Sequence, residues 1–128
     1  MPLFGSTSTG DNYKDQTPFE KRVEESSKIR DSYPDRIPCI VEKSATEKVL
    51  PPNPKRKYLV QREMPFAKFR YVVQSRLKLS PEKALFIFVN NTLPAASMTM
   101  DQIYEQNKDK DGFLYVTYAS ENTFGNEE

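Results

Sequence analysis

Near its carboxyl end the chain reads Gly112-Phe-Leu-Tyr-Val-Thr-Tyr118, and this run constrains the fold more than any other stretch. Aromatic and β-branched residues crowd together from Phe113 to Tyr118, the content of a strand that runs through the middle of a small sheet. Such a strand needs partners, and three upstream stretches can supply them. Arg36 to Lys43 reads as one strand and Lys57 to Gln61 as a second, joined as a hairpin by a long polar loop that holds Pro51-Pro52-Asn53-Pro54. Ala84 to Val89 is a continuous apolar run, as in a strand buried on both faces, and Asn90-Asn91 turns the chain after it.

Helices separate these strands. Thr17-Pro18-Phe19-Glu20 has the chemistry of a helix start, with Thr17 as cap, Pro18 at the first position and Glu20 completing a capping box. That helix should run to about Ser32, with Phe19, Val23, Ser26 and Arg30 on one face and Glu25 with Ile29 on its shoulder, leaving Ile29 half covered. Pro65 opens a second helix, with Met64 a poor cap and Phe66, Phe69, Val72, Val73 and Leu77 at helical spacing. Thr99 and Gln102 make a capping box for a short third helix, and Asp111-Gly112 leads into the last strand. Two strands, a crossing helix and two more strands are the elements of an α+β β-grasp fold, a four-stranded mixed sheet on a central helix, with the opposite face left for the amino-terminal helix.

The length of 128 residues fits one domain with a core of its own. Residues 13–120 are expected to form it, between a flexible arm at residues 1–12 and a flexible tail at residues 121–128. No run reaches the roughly 18 apolar residues of a membrane-spanning helix, and residues 1–12 lack the apolar core of a secretion signal, so a cytoplasmic protein is expected. The single cysteine, Cys39, lies in the apolar run Ile37 to Val41 and reads as a buried, inert thiol.

The absence of histidine removes Ser-His and Cys-His nucleophiles, and neither a glycine-rich phosphate loop nor paired metal-binding cysteines occur, so an enzyme is not expected and neither is a cofactor. Asn107 to Gly112 imitates the first half of a calcium loop, but the twelfth position is Tyr118 where a bidentate Glu belongs, so no metal is expected. Lys55-Arg56-Lys57-Tyr58 and Phe69-Arg70-Tyr71 interleave basic and aromatic residues as nucleic-acid surfaces do. The net charge of +1, with +4 over residues 58–83 answered by −5 over residues 84–128, argues against a nucleic-acid partner.

Phe19-Glu20-Lys21-Arg22, Arg36-Ile37-Pro38, Lys55 to Val60, Pro81-Glu82-Lys83-Ala84, Asp109 to Val116 and Glu121-Asn122-Thr123-Phe124-Gly125 together resemble one family. It is the autophagy-related ubiquitin-like modifiers, which include the GABA-receptor-associated protein and microtubule-associated light chain 3. The likeness runs in order from Pro18 to Gly125. It implies that a processing cysteine protease cuts after Gly125, which Phe124 precedes. Activating and conjugating enzymes of the ubiquitin-like pathway would then join the exposed carboxylate to phosphatidylethanolamine. The protein would move from the cytoplasm to the autophagosome membrane, and reach the vacuole or lysosome lumen on turnover.

The resemblance also implies capture of short linear motifs of cargo receptors, each with an aromatic residue and, three positions later, an aliphatic one. Two pockets would take these side chains. The first matches Glu25, Ile29, Pro38, Ile40, Lys57, Leu59 and Phe113, and the second Tyr58, Val60, Met64, Phe69, Val72 and Arg76. The chain departs from the family pattern at Gln61, where proline is usual, and at Pro65, where a polar cap is usual. A peptide-binding adaptor of the same fold that is never lipidated is the alternative reading.

Overall fold

The computed structural model describes residues 12–122. In chain order the elements are α1 (Tyr13–Gln16), α2 (Phe19–Ser32), β1 (Arg36–Lys43), β2 (Lys57–Gln61), α3 (Phe66–Arg76), β3 (Phe86–Phe88), α4 (Met100–Asn107) and β4 (Leu114–Ala119). The four strands form one mixed sheet in the order β2-β1-β4-β3. β4 lies inside that sheet, parallel to β1 with Cys39 against Leu114 and antiparallel to β3 with Ile87 against Tyr118. β1 and β2 are antiparallel, with Cys39 against Tyr58.

Strand alternation divides the apolar residues between two layers. On the α3 side Cys39, Tyr58, Val60, Leu114 and Val116 join Phe69 and Val73 in the main core. On the α2 side Ile40 and Phe113 join Tyr13 in a second, smaller cluster. Cys39 is fully buried, and burial pushes its thiol up and out of the reactive range.

Some helix starts differ from the sequence expectation. Pro18, in extended conformation, is itself the N-cap of α2 without a side-chain hydrogen bond, because Thr17 closes α1. The Thr17 carbonyl is occupied by Arg22 Nη1 at 2.6 Å. Pro65 likewise is the N-cap of α3 rather than its first residue. The free amides that follow are answered by a distant loop: Phe66 N donates to the Met98 carbonyl at 2.7 Å and Ala67 N to the Ala96 carbonyl at 3.1 Å. The capping box at Thr99 and Gln102 forms as expected. The apolar run from Ala84 to Val89 yields a strand of only three residues, closed by a bridge from Val89 to Thr92 across Asn90 and Asn91, both at positive φ.

The face of α2 expected from sequence turns inward unevenly, with its polar member Ser26 covered more fully than the apolar Phe19 and Val23. Phe19 is 46% exposed beneath Arg22, whereas Ser26 is fully buried and its hydroxyl donates to the Asp111 carbonyl. The reason lies in the turn before β4. Asp111 is 1% exposed and accepts from Arg22 Nε at 2.8 Å, Tyr115 Oη at 2.5 Å and Phe113 N at 2.9 Å, so it draws the polar side of the helix onto itself. Gly112, at φ +96°, lets α2 come this close. A Cβ there would run into Ser26 Oγ and stand 3.1 Å from Arg30 Nη2. Gly112→Ala is therefore expected to cost about 2–3 kcal/mol in urea unfolding, from backbone strain and overpacking combined. A loss below about 0.5 kcal/mol would show that α2 gives way freely.

Candidate functional site: the edge at β2

β2 is an outer strand, so one side of its backbone faces no other strand among the described residues. Such an edge is a template for a further strand. Its side chains alternate: Tyr58 and Val60 are buried toward α3, while Leu59 is half-buried and Lys57 exposed on the side of α2. Each flank of the edge carries one of the two residue sets expected from sequence.

On the α2 flank the register sets Pro38 beside Leu59 and Ile40 beside Lys57. Ile40 and Phe113 are buried and form a floor, with Ile29 of α2 partly covered against it. Lys57 Nζ lies 2.6 Å from Glu25 Oε2, an ion pair at the rim. Burial works against ionisation of Glu25, but hydrogen bonds from Lys57 and Tyr13 outweigh it and hold the carboxyl below its ordinary value.

Tyr13 belongs to this flank and was not foreseen from sequence. Its ring meets Phe113 edge-on at 5.5 Å, its hydroxyl donates to Glu25, and Lys57 Nζ lies 5.0 Å from its centroid. Its amide donates to Glu42 Oε2 at 2.6 Å. Burial, then the adjacent Glu25 carboxylate, push the Tyr13 phenol up, so it remains a hydrogen-bond donor. The available signal was Asn12, whose side chain caps α1 by accepting from Asp15 N at 2.7 Å and so fixes the turn that carries the ring.

The ion pair gives a signed pH prediction. A carboxyl with a lowered folded pKa stabilises the fold fully above its unfolded value and loses that contribution as pH falls through the folded value. Glu25→Gln is thus expected to be less stable than the parent at pH 7, with the difference closing below about pH 4 in paired urea titrations. An equal difference at pH 7 and pH 3 would contradict the ionic origin.

On the α3 flank Tyr58, Val60 and Phe69 are core residues, with the Tyr58 and Phe69 rings 6.2 Å apart. Met64 and Val72 are partly buried against them, and the Arg76 guanidinium lies 4.6 Å from the Tyr58 ring centroid. The structure thus brings the second set together with fully covered members as its floor and Met64, Val72 and Arg76 as its accessible part. Phe124 and Gly125 lie outside the described residues.

A family model described as "Autophagy protein Atg8 ubiquitin like" matches residues 21–125. The chain belongs to the Atg8 family. Atg8 relatives agree over most of the sequence. Autophagy-related protein 8A of rice is 54% identical over 114 residues, covering 89% of this chain and 95% of the relative. Autophagy-related protein 8a of Arabidopsis thaliana is also 54% identical, covering 89% of this chain and 93% of its own. Among solved structures, Plasmodium falciparum Atg8 in complex with a Plasmodium falciparum Atg3 peptide superposes with a TM-score of 0.82 at 36% identity, over 88% of this chain and 98% of that one. The protein is a ubiquitin-like autophagy protein with the sheet and helices of Atg8.

Proposed function

We propose that this Atg8-family protein is a non-enzymatic modifier that joins autophagosomal membranes through Gly125 and recruits receptors through the edge at β2. The observation that carries the recruitment half is the outer position of β2, with a partly covered set of side chains on each flank. An extended peptide laid along β2 gains backbone hydrogen bonds, and its residues three positions apart project to opposite faces, about 10 Å from one another. An aromatic side chain then meets Ile29, Leu59 and the Glu25–Lys57 rim over the floor of Pro38, Ile40 and Phe113. The aliphatic one meets Met64, Val72 and Arg76 over Tyr58, Val60 and Phe69. The Atg3 peptide bound to the Plasmodium falciparum Atg8 supports peptide recognition by this fold.

For attachment, a cysteine protease hydrolyses the bond between Gly125 and Asn126. Activating and conjugating enzymes then convert the freed carboxylate to an activated acyl group, and the amine of phosphatidylethanolamine attacks its carbonyl and displaces the activating group to form an amide. Glycine suits this position because the absent Cβ lets the backbone thread a narrow catalytic cleft and leaves its carbonyl open to the amine. Two acyl chains give a stable anchor where one does not. Loss of Asn126, Glu127 and Glu128 also moves the formal charge from +1 to +3, as two carboxylate side chains leave. The protein is cytoplasmic before attachment, on the autophagosome after it, and in the vacuole or lysosome lumen on turnover.

Intact mass tests the attachment half. Incubation with the processing protease is expected to remove residues 126–128, and addition of the conjugating enzymes with phosphatidylethanolamine vesicles is expected to add one lipid. An unchanged mass would contradict the modifier and favour a peptide-binding adaptor that is never lipidated.

A further inference from the structure

β1 ends at Lys43, whereas β4 continues to Ala119. Ser44 N still reaches the Tyr118 carbonyl at 2.9 Å, and beyond it no strand among the described residues continues the backbone ladder on that side of β4. The next donor on that side is Ser120 N, since residues two apart on a strand point the same way. A side chain takes the missing place: Glu47 Oε1 accepts from Ser120 N at 2.7 Å and from Ser120 Oγ at 3.0 Å. The other oxygen, Oε2, accepts from Val49 N at 2.9 Å and Leu50 N at 2.7 Å.

Glu47 is therefore an acceptor for four donors while only 8% exposed. The loop that carries it is itself fixed, because Leu50 is in the main core and the Tyr118 hydroxyl donates to the Pro51 carbonyl at 2.7 Å. Burial opposes the charge on Glu47, but the hydrogen bonds from Ser120, Leu50 and Val49 outweigh it and hold the carboxyl below its ordinary value. A carboxylate suits this place because it accepts at every lone pair, whereas an amide would turn a donor toward one pair of donors.

We infer that Glu47 is a positioning residue for the carboxyl-terminal tail, holding Ser120 so that Gly125 is presented from a fixed base to the enzymes that cut and join it. The inference rests on the reading of Gly125 as the point of cleavage and attachment. Its force comes from the short tether. Gly125 is the fifth residue beyond Ser120, and five residues span at most about 17 Å. An enzyme that grips Gly125 must then dock against this end of the sheet, so the direction in which the tail departs sets the fraction of encounters that are productive.

The test uses the full chain and Glu47→Gln, which keeps the shape and replaces an acceptor with a donor. Three quantities are compared: hydrogen exchange at the Ser120 amide, kcat/KM for removal of residues 126–128, and affinity for an aromatic-x-x-aliphatic peptide. The expected result is exchange at Ser120 at least about tenfold faster with Val116 unchanged, kcat/KM about five- to tenfold lower, and peptide affinity within about twofold. Ser120→Pro removes the backbone donor without touching the loop, and Glu47→Gln added to it should slow cleavage no further, which loosening of the loop would not reproduce. It also carries the test should Glu47→Gln fail to fold.

Equal cleavage of parent and variant would overturn the inference, as would a Ser120 amide already unprotected in the parent. So would parallel losses of cleavage and peptide binding, which mark general damage. A parent chain left uncut while Ser120 is protected would overturn the reading of Gly125, and with it the positioning role.

Discussion

Asp111→Ala is expected to destabilise the fold by about 3–5 kcal/mol, with a fall in Tm of roughly 10 °C or more. The Asp111 side chain is fully buried and its partner Arg22 is nearly so. Its two oxygens answer Arg22 Nε, the Tyr115 hydroxyl and the Phe113 amide, so its removal strands a guanidinium and two further donors where water has little access. Breaking such a pair on one side costs more than the pair contributes, because the remaining charge stays buried. Asp111→Asn keeps an acceptor for Phe113 N and should fall between the two. The consequence reaches the peptide edge, since Arg22 and Ser26 seat α2, and α2 carries Glu25 and Ile29. A loss under about 1 kcal/mol in urea unfolding would show that Arg22 finds solvent on its own.

Gly125→Ala is expected to reduce protease cleavage by about a hundredfold or more while peptide affinity stays within about twofold. One methyl group adds negligible chain bulk, but it stands beside the scissile carbonyl and narrows the backbone conformations that can thread a catalytic cleft. The same cleavage rate for Ala as for Gly would indicate that the enzyme reads the tail elsewhere. Together the two variants separate stability from processing: Asp111→Ala acts on the folded domain, Gly125→Ala on the tail alone.

Which parts of this were legible in the residues follows from the range of the forces. The resemblance put Lys57 and Leu59 in one set and Tyr58 and Val60 in the other, and the two pairs lie on opposite faces of β2 because the faces of a strand are set by local geometry. The Thr99 to Gln102 box and the Asn90-Asn91 turn are equally local, and the structure has both. What was misplaced depends on contacts distant in sequence. The start of α3 is capped by carbonyls of residues 96 and 98, some thirty positions away, which no reading of Met64 and Pro65 could supply. Along the expected face of α2 the depth of burial is set by Asp111, so the polar Ser26 is covered while the apolar Phe19 stays exposed. Tyr13 closes one flank of the edge from α1, outside α2, and Glu47 of the loop after β1 completes a ladder that β1 has left. In each case a side chain or loop supplies what a neighbouring backbone lacks, and that need is visible only after the chain has folded.

Recognition at the β2 edge is tested most directly by mapping amide chemical shifts on isotope-labelled protein during titration with a short aromatic-x-x-aliphatic peptide. The largest changes are expected at Lys57 to Val60, with smaller ones at Ile29 on one flank and at Met64 and Val72 on the other. Changes that leave Lys57 to Val60 unmoved and gather elsewhere on the domain would contradict it.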